Sequence, residues 1–330
     1  MKTFEFRHAA GVEDAVAAGA APGAKYLAGG TNLLDLMKGG VEEPNSLIDL
    51  RRLGLTTITA TPDGGVFIDA CVTNSAIANH PLIRTRYPVL SHAILSGATT
   101  QLRNMATAGG NLLQRTRCPY FMQTTFASCN KRDPGSGCAA RHGFHREHAI
   151  FGASDDCVAI HPSDMAVALA ILDATVHVRA PQGGRTIAID EFFALPGSTP
   201  EVDNVLLPGE LILGIELPPS DFADHSWYLK VRDRHSYAFA LVSVAAGLHI
   251  ADGVITSAAI ALGAVAATPW RLHRAGQSLV GRPPDEEAFH AAAAMAMDGA
   301  QPLTQNAFKV DLGRHSVVRA LTLAAGVRAS

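Results

Sequence analysis

The residues of this chain whose types and spacing could do chemistry are a group of cysteines, two glycine turns and a Ser-Asp pair. Four of the five cysteines, Cys118, Cys129, Cys138 and Cys157, are separated by ten, eight and eighteen residues. Four thiolates are the ligand set of a cubane iron–sulfur cluster or of a structural zinc, and these spacings match neither the ferredoxin run nor a paired zinc ribbon. Spacing therefore does not choose the metal. The turn Asp133-Pro134-Gly135-Ser136-Gly137-Cys138 offers free amides to cluster sulfurs, and Cys118-Pro119 resembles the Cys-Pro pair found beside many clusters. Both favour iron–sulfur. His142, His145, His148 and His161 keep a mixed cysteine and histidine zinc site open, and unrelated free thiols are a third reading. Cys71, in the apolar stretch Val66 to Val72, reads as a small buried hydrophobe.

The first glycine turn, Gly29-Gly30-Thr31-Asn32, follows a strand over 25–28 and precedes a helix that starts at Leu33 and stops at Gly39-Gly40. Adjacent glycines let a ligand approach the main chain, and free amides there suit an anion such as a pyrophosphate. For a lone Gly-Gly-Thr an ordinary tight turn is the favoured reading, and the pattern is not the G-x-G-x-x-G of a Rossmann turn. A second turn, Thr107-Ala108-Gly109-Gly110-Asn111, again sets Thr and Asn beside two glycines. Two such turns point to one extended phosphate-bearing cofactor held from both sides. Asp164, with Ser163 as its N-cap, either complements the helix dipole or accepts hydrogen bonds from a ribose-like polyol. Lys230, in the run Lys230-Val231-Arg232-Asp233-Arg234, is either a solvated strand edge or a cation aimed at a cofactor.

The elements that must position these residues follow from apolar periodicity and cap residues. Helices are expected over 12–19, from Thr73 to Asn79, over 88–96 and over 164–172, and strands over 46–50, 55–60, 66–72 and 210–217. Pro181-Gln182-Gly183-Gly184 marks a hairpin between 174–179 and 185–190. Composition changes at Pro218-Pro219-Ser220, beyond which strands at 227–232, 238–249 and 254–262 and alanine-rich helices, including 286–297 and 314–327, form a small α+β domain. The segment from Cys118 to Cys157 has no sustained period of either kind, so something other than an apolar core holds it.

A chain of 330 residues exceeds the size at which single cores usually stop growing. Apolar residues make up 48% and charged residues only 17%, a balance suited to a subunit that buries surface against partners. The net charge of −3, with no basic stripe interleaved with aromatics, argues against nucleic acid. No apolar run reaches the roughly eighteen residues of a membrane span, so no membrane is expected. The first six residues alternate like a strand rather than a signal peptide. Export, if any, is then expected through a partner bearing a twin-arginine signal, giving a periplasmic location; otherwise the chain is cytoplasmic.

Taken together, Tyr26-Leu27-Ala28-Gly29-Gly30-Thr31-Asn32-Leu33, Gln101-Leu102-Arg103-Asn104 with Thr107 to Leu112, His161-Pro162-Ser163-Asp164 and Lys230 to Ala240 resemble the FAD-binding subunit of the xanthine dehydrogenase family of molybdenum hydroxylases. The resemblance covers essentially the whole chain. Within the family, the inserted segment with its Cys118-Pro119-Tyr120-Phe121, Cys129-Asn130-Lys131-Arg132 and Pro134 to Cys138 is similar to that of medium subunits of bacterial periplasmic aldehyde oxidoreductases. Those subunits carry a [4Fe–4S] cluster as well as FAD. Most flavin subunits of the family lack the insertion.

The resemblance implies an α+β fold. A two-subdomain FAD-binding domain of the PCMH/VAO type would span 1–220, with subdomains of about 1–60 and 61–220 and a cluster-binding insertion at 115–160. A C-terminal domain of the CO dehydrogenase flavoprotein type, a three-stranded antiparallel sheet with helices, would span 221–330. It also implies that Ala28, Gly29, Gly30, Thr31, Asn32 and Leu33 wrap the FAD pyrophosphate with Gly110 and Asn111, with Thr107 and Gln114 nearby. Ser163 and Asp164 would contact the ribityl or phosphate region. Leu211 and Ile212 would pack near the isoalloxazine and Lys230 near its polar edge, while the four cysteines hold the cluster. The implied role is electron transfer, with no acid, base or nucleophile in this chain. Its partners would be a large subunit with the molybdenum cofactor and a small [2Fe–2S] subunit, in a heterotrimer. Rival readings are a flavin subunit of a hydroxybenzoyl-CoA reductase or xanthine dehydrogenase type enzyme, a freestanding flavin oxidase, and a zinc-stapled scaffold without enzymatic activity.

Overall fold

The computed structural model describes residues 1–326. It opens with a parallel sheet of β1 (Glu5–His8), β2 (Ala24–Leu27) and β3 (Ser46–Asp49), ordered β1-β3-β2. Parallel neighbours need crossovers, and helices Val12–Gly19 and Leu33–Lys38 supply them. The chain leaves edge strand β2 directly into the first glycine turn, whose place is thereby fixed at the open end of this sheet.

The second sheet is antiparallel: β4 (Ile58–Ala60), β5 (Val66–Asp69), β6 (Thr175–Ala180), β7 (Gly183–Ala188) and β8 (Leu211–Leu217), in the order β4-β5-β8-β6-β7. β6 and β7 form the expected hairpin. Between β5 and β6 the chain builds a helical block in which Thr73 caps helix Asn74–Asn79 by accepting a hydrogen bond from the Ala76 amide. Helix Pro88–Ser96 follows. Then comes the cysteine segment, which contains only a four-residue helix, Pro119–Met122, and a 3₁₀ turn, Ala139–Arg141. Its lack of periodicity was legible because its hydrogen bonds go to side chains and turns.

Helix Asp164–Ile171 is the hinge of the architecture. Every residue from Met165 to Ile171 is buried, as expected of a helix that is apolar all round. It packs on helix Pro88–Ser96 and on the sheet of the second domain. Ser163 starts it by accepting from the Ala166 amide at 3.0 Å.

That second sheet holds β9 (Ser226–Val231), β10 (Val242–Ala251), β11 (Val254–Gly263) and β12 (Trp270–Arg271), ordered β12-β11-β10-β9. The expected three strands are thus joined by a fourth of two residues, paired Ala261 with Arg271 and Leu262 with Trp270. So short a strand is made by its partner rather than by its own pattern. Helix Phe308–Ala324 packs on β9 and β10, and helix Glu286–Ala296 buries its alanine-rich face in the same core by packing on that helix. The last helix starts at Phe308 and not at Arg314, because Asn306 and Lys309, both fully buried, bind carbonyls of residues 147–149 and 264. Among the described residues no helix is long and apolar enough to cross a membrane.

Candidate cofactor-binding site

The two glycine turns meet. Gly29 lies so close to the second turn that a Cβ there would sit 1.8 Å from the Met105 carbonyl oxygen, and Gly30 has φ +72°, a conformation that disfavours any side chain. None of the amides of Gly29, Gly30, Thr31, Asn32 and Leu33 donates a hydrogen bond within the described residues. The second turn differs from its expected open form: Gly109 and Gly110 lie in the first turn of helix Ala108–Leu112, where Thr107 accepts from the Gly110 amide.

Together the turns form a wall between two cavities, and Gly29, Gly30, Thr31, Asn32 and Gly110 line both. The larger, of about 810 Å³, also takes in Ala28, Leu33, Thr107, Leu211 and Ile212. The smaller, of about 470 Å³, takes in Asn111, Gln114, Asp164 and Lys230, with Tyr237 and Phe239 at its edge. Leu211 and Ile212 are therefore on the opposite side of the turns from Lys230. The three residues expected near the ring are thus divided between the two cavities, with the glycine turns between them.

Ser163 lines neither cavity. It is buried, and besides capping its helix its hydroxyl donates to Asn111 Oδ1 at 2.5 Å, where Gln114 Nε2 also donates at 2.9 Å. Ser163 thus orients Asn111, which lines the smaller cavity. Asp164 Oδ2 lies 2.8 Å from Lys230 Nζ, and Tyr228 donates to Asp164 Oδ1 at 2.6 Å. Burial, then the Asp164 charge, pushes the Tyr228 hydroxyl well above its ordinary pKa.

The four cysteines of the inserted segment line one small cavity of about 10 Å³, together with Phe121, Lys131 and Asp156. Cys129 and Cys138 face each other across an antiparallel bridge. All are free thiols. Burial pushes the Cys118 thiol up to about 12 and the Cys157 thiol up to about 11, so a buried thiolate here calls for a neighbouring positive charge. Of the four histidines considered as ligands, His148 alone touches a cysteine, with Nε2 3.1 Å from Cys118 Sγ. His145 instead contacts the Ala140 carbonyl and Thr304, and His161 the Leu112 carbonyl. Among the described residues no three His, Cys, Asp or Glu side chains are gathered closely enough to hold a single metal ion.

Residues 2–220 match the family described as the FAD binding domain in molybdopterin dehydrogenase, and residues 227–324 match the CO dehydrogenase flavoprotein C-terminal domain. The chain belongs to the FAD-binding medium subunits of the molybdenum hydroxylase family. Among its relatives in that family, the aldehyde oxidoreductase FAD-binding subunit of Escherichia coli (strain K12) is 49% identical over 97% of this chain and 98% of its own length. The carbon monoxide dehydrogenase medium chain of Afipia carboxidovorans is 26% identical over 89% and 85%. Quinoline 2-oxidoreductase of Pseudomonas putida 86 superposes with a TM-score of 0.76 at 26% identity, over 99% of both chains.

A flavin dinucleotide fits this site. A two-lobed cleft matches two ring systems joined by a diphosphate, and the free amides of residues 29–33 lie at the waist. Asn32 adds a donor: its Nδ2 is buried with no partner. The cysteine cavity fits a thiolate-held metal group by the chemistry of its donors. The sequence reading missed Glu42, Asp203 and Tyr228. Glu42 and Asp203 wall the larger cavity and carry no local pattern that would announce them, while Tyr228 sits two residues before Lys230 on the same face of β9, a period-two signal that could have found it.

Proposed function

We propose that the chain is the FAD- and [4Fe–4S]-containing electron-transfer subunit of a heterotrimeric, molybdenum-dependent aldehyde oxidoreductase. The reading is carried by four cysteines of one segment around one cavity, in a chain 49% identical over almost its full length to an aldehyde oxidoreductase FAD-binding subunit. Bound FAD would supply both one-electron and two-electron chemistry. The chain's own residues bind and orient it. The amides of Gly29 to Leu33 and Asn32 Nδ2 take the diphosphate oxygens. Leu211 and Ile212, in the larger cavity, pack on the adenine, and the smaller cavity takes the isoalloxazine. There Lys230, held by Asp164, sets a fixed positive charge near the ring's polar edge. Cys118, Cys129, Cys138 and Cys157 hold the cluster as thiolates.

In this arrangement aldehyde oxidation belongs to the large partner with its molybdenum cofactor, and a small [2Fe–2S] partner connects it to this chain. The compartment follows the partner: export with a twin-arginine-signal subunit makes the complex periplasmic, and cell fractionation distinguishes this from a cytoplasmic complex. The deciding test is cofactor analysis of the purified complex, for which we expect about one FAD and about four iron atoms with matching acid-labile sulfide per copy of this chain. Zinc without iron or flavin overturns the reading in favour of a scaffold. Turnover of acyl-CoA thioesters instead of aromatic aldehydes reassigns the substrate to the hydroxybenzoyl-CoA reductase type.

A further inference from the structure

The cysteine cavity and the flavin cleft are joined by one carboxylate. Asp203 Oδ1 accepts from Lys131 Nζ at 2.6 Å, and Asp203 Oδ2 accepts from Arg115 Nε at 2.6 Å. Lys131 lines the cysteine cavity. Arg115 and Asp203 line the larger lobe of the cleft. From Arg115 the charges continue to alternate, through Glu42 at 2.6 Å and on to Lys25 at 3.4 Å. Five charges of alternating sign therefore run from the thiols to the rim of the flavin site.

At Arg115 the line also branches, through the main chain, to Asn32 of the first glycine turn. The Arg115 amide donates to Asn32 Oδ1 at 3.0 Å, so the carboxamide oxygen is occupied and Nδ2 is the free end. With Arg115 displaced, the carboxamide is free to turn its oxygen toward an anion, which repels it. Burial works against ionisation of Asp203, but the Arg115 and Lys131 cations outweigh it and hold the carboxyl below the usual range. Lys131 is nearly buried, at 5% side-chain exposure, with the Pro200 carbonyl as its other acceptor. Removing the Asp203 charge leaves that cation uncompensated, which forces the chain around Cys129 to move.

We propose that Asp203 is a positioning residue that couples the two sites: closure of the cysteine segment brings Lys131 and Arg115 onto Asp203, and Arg115 then presents Asn32 Nδ2 to the flavin diphosphate. The proposal rests on the FAD and cluster reading above and adds that occupancy of one site sets affinity at the other. A residue that merely anchors the loop would lower stability without linking the two affinities.

The test is a coupling cycle on the purified complex, with wild type and Asp203→Asn each measured before and after iron removal by a chelator. FAD dissociation is followed by flavin fluorescence. Iron removal should weaken FAD binding about tenfold or more in the wild type and less than about twofold in Asp203→Asn. Equal weakening in both, or none in the wild type, overturns the proposal. If Asp203→Asn does not fold, Lys131→Gln carries the same cycle with the same expected outcomes. Wild-type complex that contains no FAD or no iron overturns the functional reading itself, and this proposal with it.

Discussion

Lys230 Nζ stands 2.8 Å from Asp164 Oδ2 with side chains only 4% and 10% exposed, so the first residue of helix Asp164–Ile171 and a residue of β9 share a buried ion pair. The pair spans the two domains and lies in the wall of the smaller cavity. Its position explains why a helix with an entirely apolar body begins on an aspartate.

Removing one partner of a buried pair leaves an uncompensated charge, at a cost of about 3–5 kcal/mol, whereas removing both costs far less. Lys230→Met is therefore expected to lower stability by that order, and the double change Lys230→Met with Asp164→Leu to recover most of it. Urea unfolding of the two single variants and the double one checks this. Additive losses would show that the pair contributes nothing as a pair.

Gly29 is fixed by a close approach and not by its dihedrals. A Cβ would meet backbone, the Met105 carbonyl carbon and oxygen, at 2.7 and 1.8 Å, and backbone cannot swing aside as a side-chain tip can. Gly29→Ala should push the two glycine turns apart, cost about 1–3 kcal/mol as overpacking does, and reduce the flavin recovered with the purified protein. Flavin absorbance per chain is the measurement. Gly40→Ala serves as the control, because its Cβ meets nothing and only its φ of +70° is strained.

Lys309 is fully buried in the last helix and donates to the carbonyls of Glu147, His148 and Ala264 at 3.2, 3.0 and 2.6 Å. Burial pushes its pKa from the ordinary 10.5 down to about 7. Between those values the unfolded chain holds a proton that the native chain does not, so stability rises with pH across the window and is flat below it. The wild type should gain on Lys309→Met between pH 7 and 10 in urea midpoints. A difference that stays constant with pH would show that the three carbonyls hold the ammonium charged.

What the sequence made legible is what short-range chemistry decides. Thr73, Ser163 and Asp285 cap helices with their own side chains, and the glycines of the turn after β2 follow directly from the strand, so both can be read along the chain. The start of the last helix could not, since Ala307 provides no side-chain cap and the boundary depends on Lys309 reaching residues far away. The two-residue β12 exists only against β11. The division of Leu211, Ile212 and Lys230 between two cavities has no local signal either: which side of the glycine turns a residue occupies is a tertiary fact. The Asp203 junction joins residues 72 and 88 positions apart, with nothing local to mark it.

The cysteine segment gives the last prediction. Between Arg115 and His161 it has little regular structure; its first part has only a small apolar anchor, formed by Leu36, Phe121 and Cys129 with Val41, Cys118 and Met122 around them, while Ile150 and Phe151 tie its far end into the core of the second domain. Side-chain bonds do the rest, such as Asn130 accepting from the Gly137 amide at 2.7 Å and Arg132 donating to the Tyr120 carbonyl at 2.7 Å. A segment held this way depends on whatever its four thiols hold, because a thiolate-bound metal group contributes its binding energy to folding. Replacing all four cysteines by serine should remove iron and acid-labile sulfide and make the bonds between residues 118 and 157 the first sites of limited proteolysis. The core shared by the FAD-binding domain and the sheet of the second domain, and the core beneath the last helices, lie almost wholly outside the segment and should keep their unfolding transition. Unchanged protease resistance in that variant would mean that the side-chain network alone orders the segment and that the thiols only decorate it.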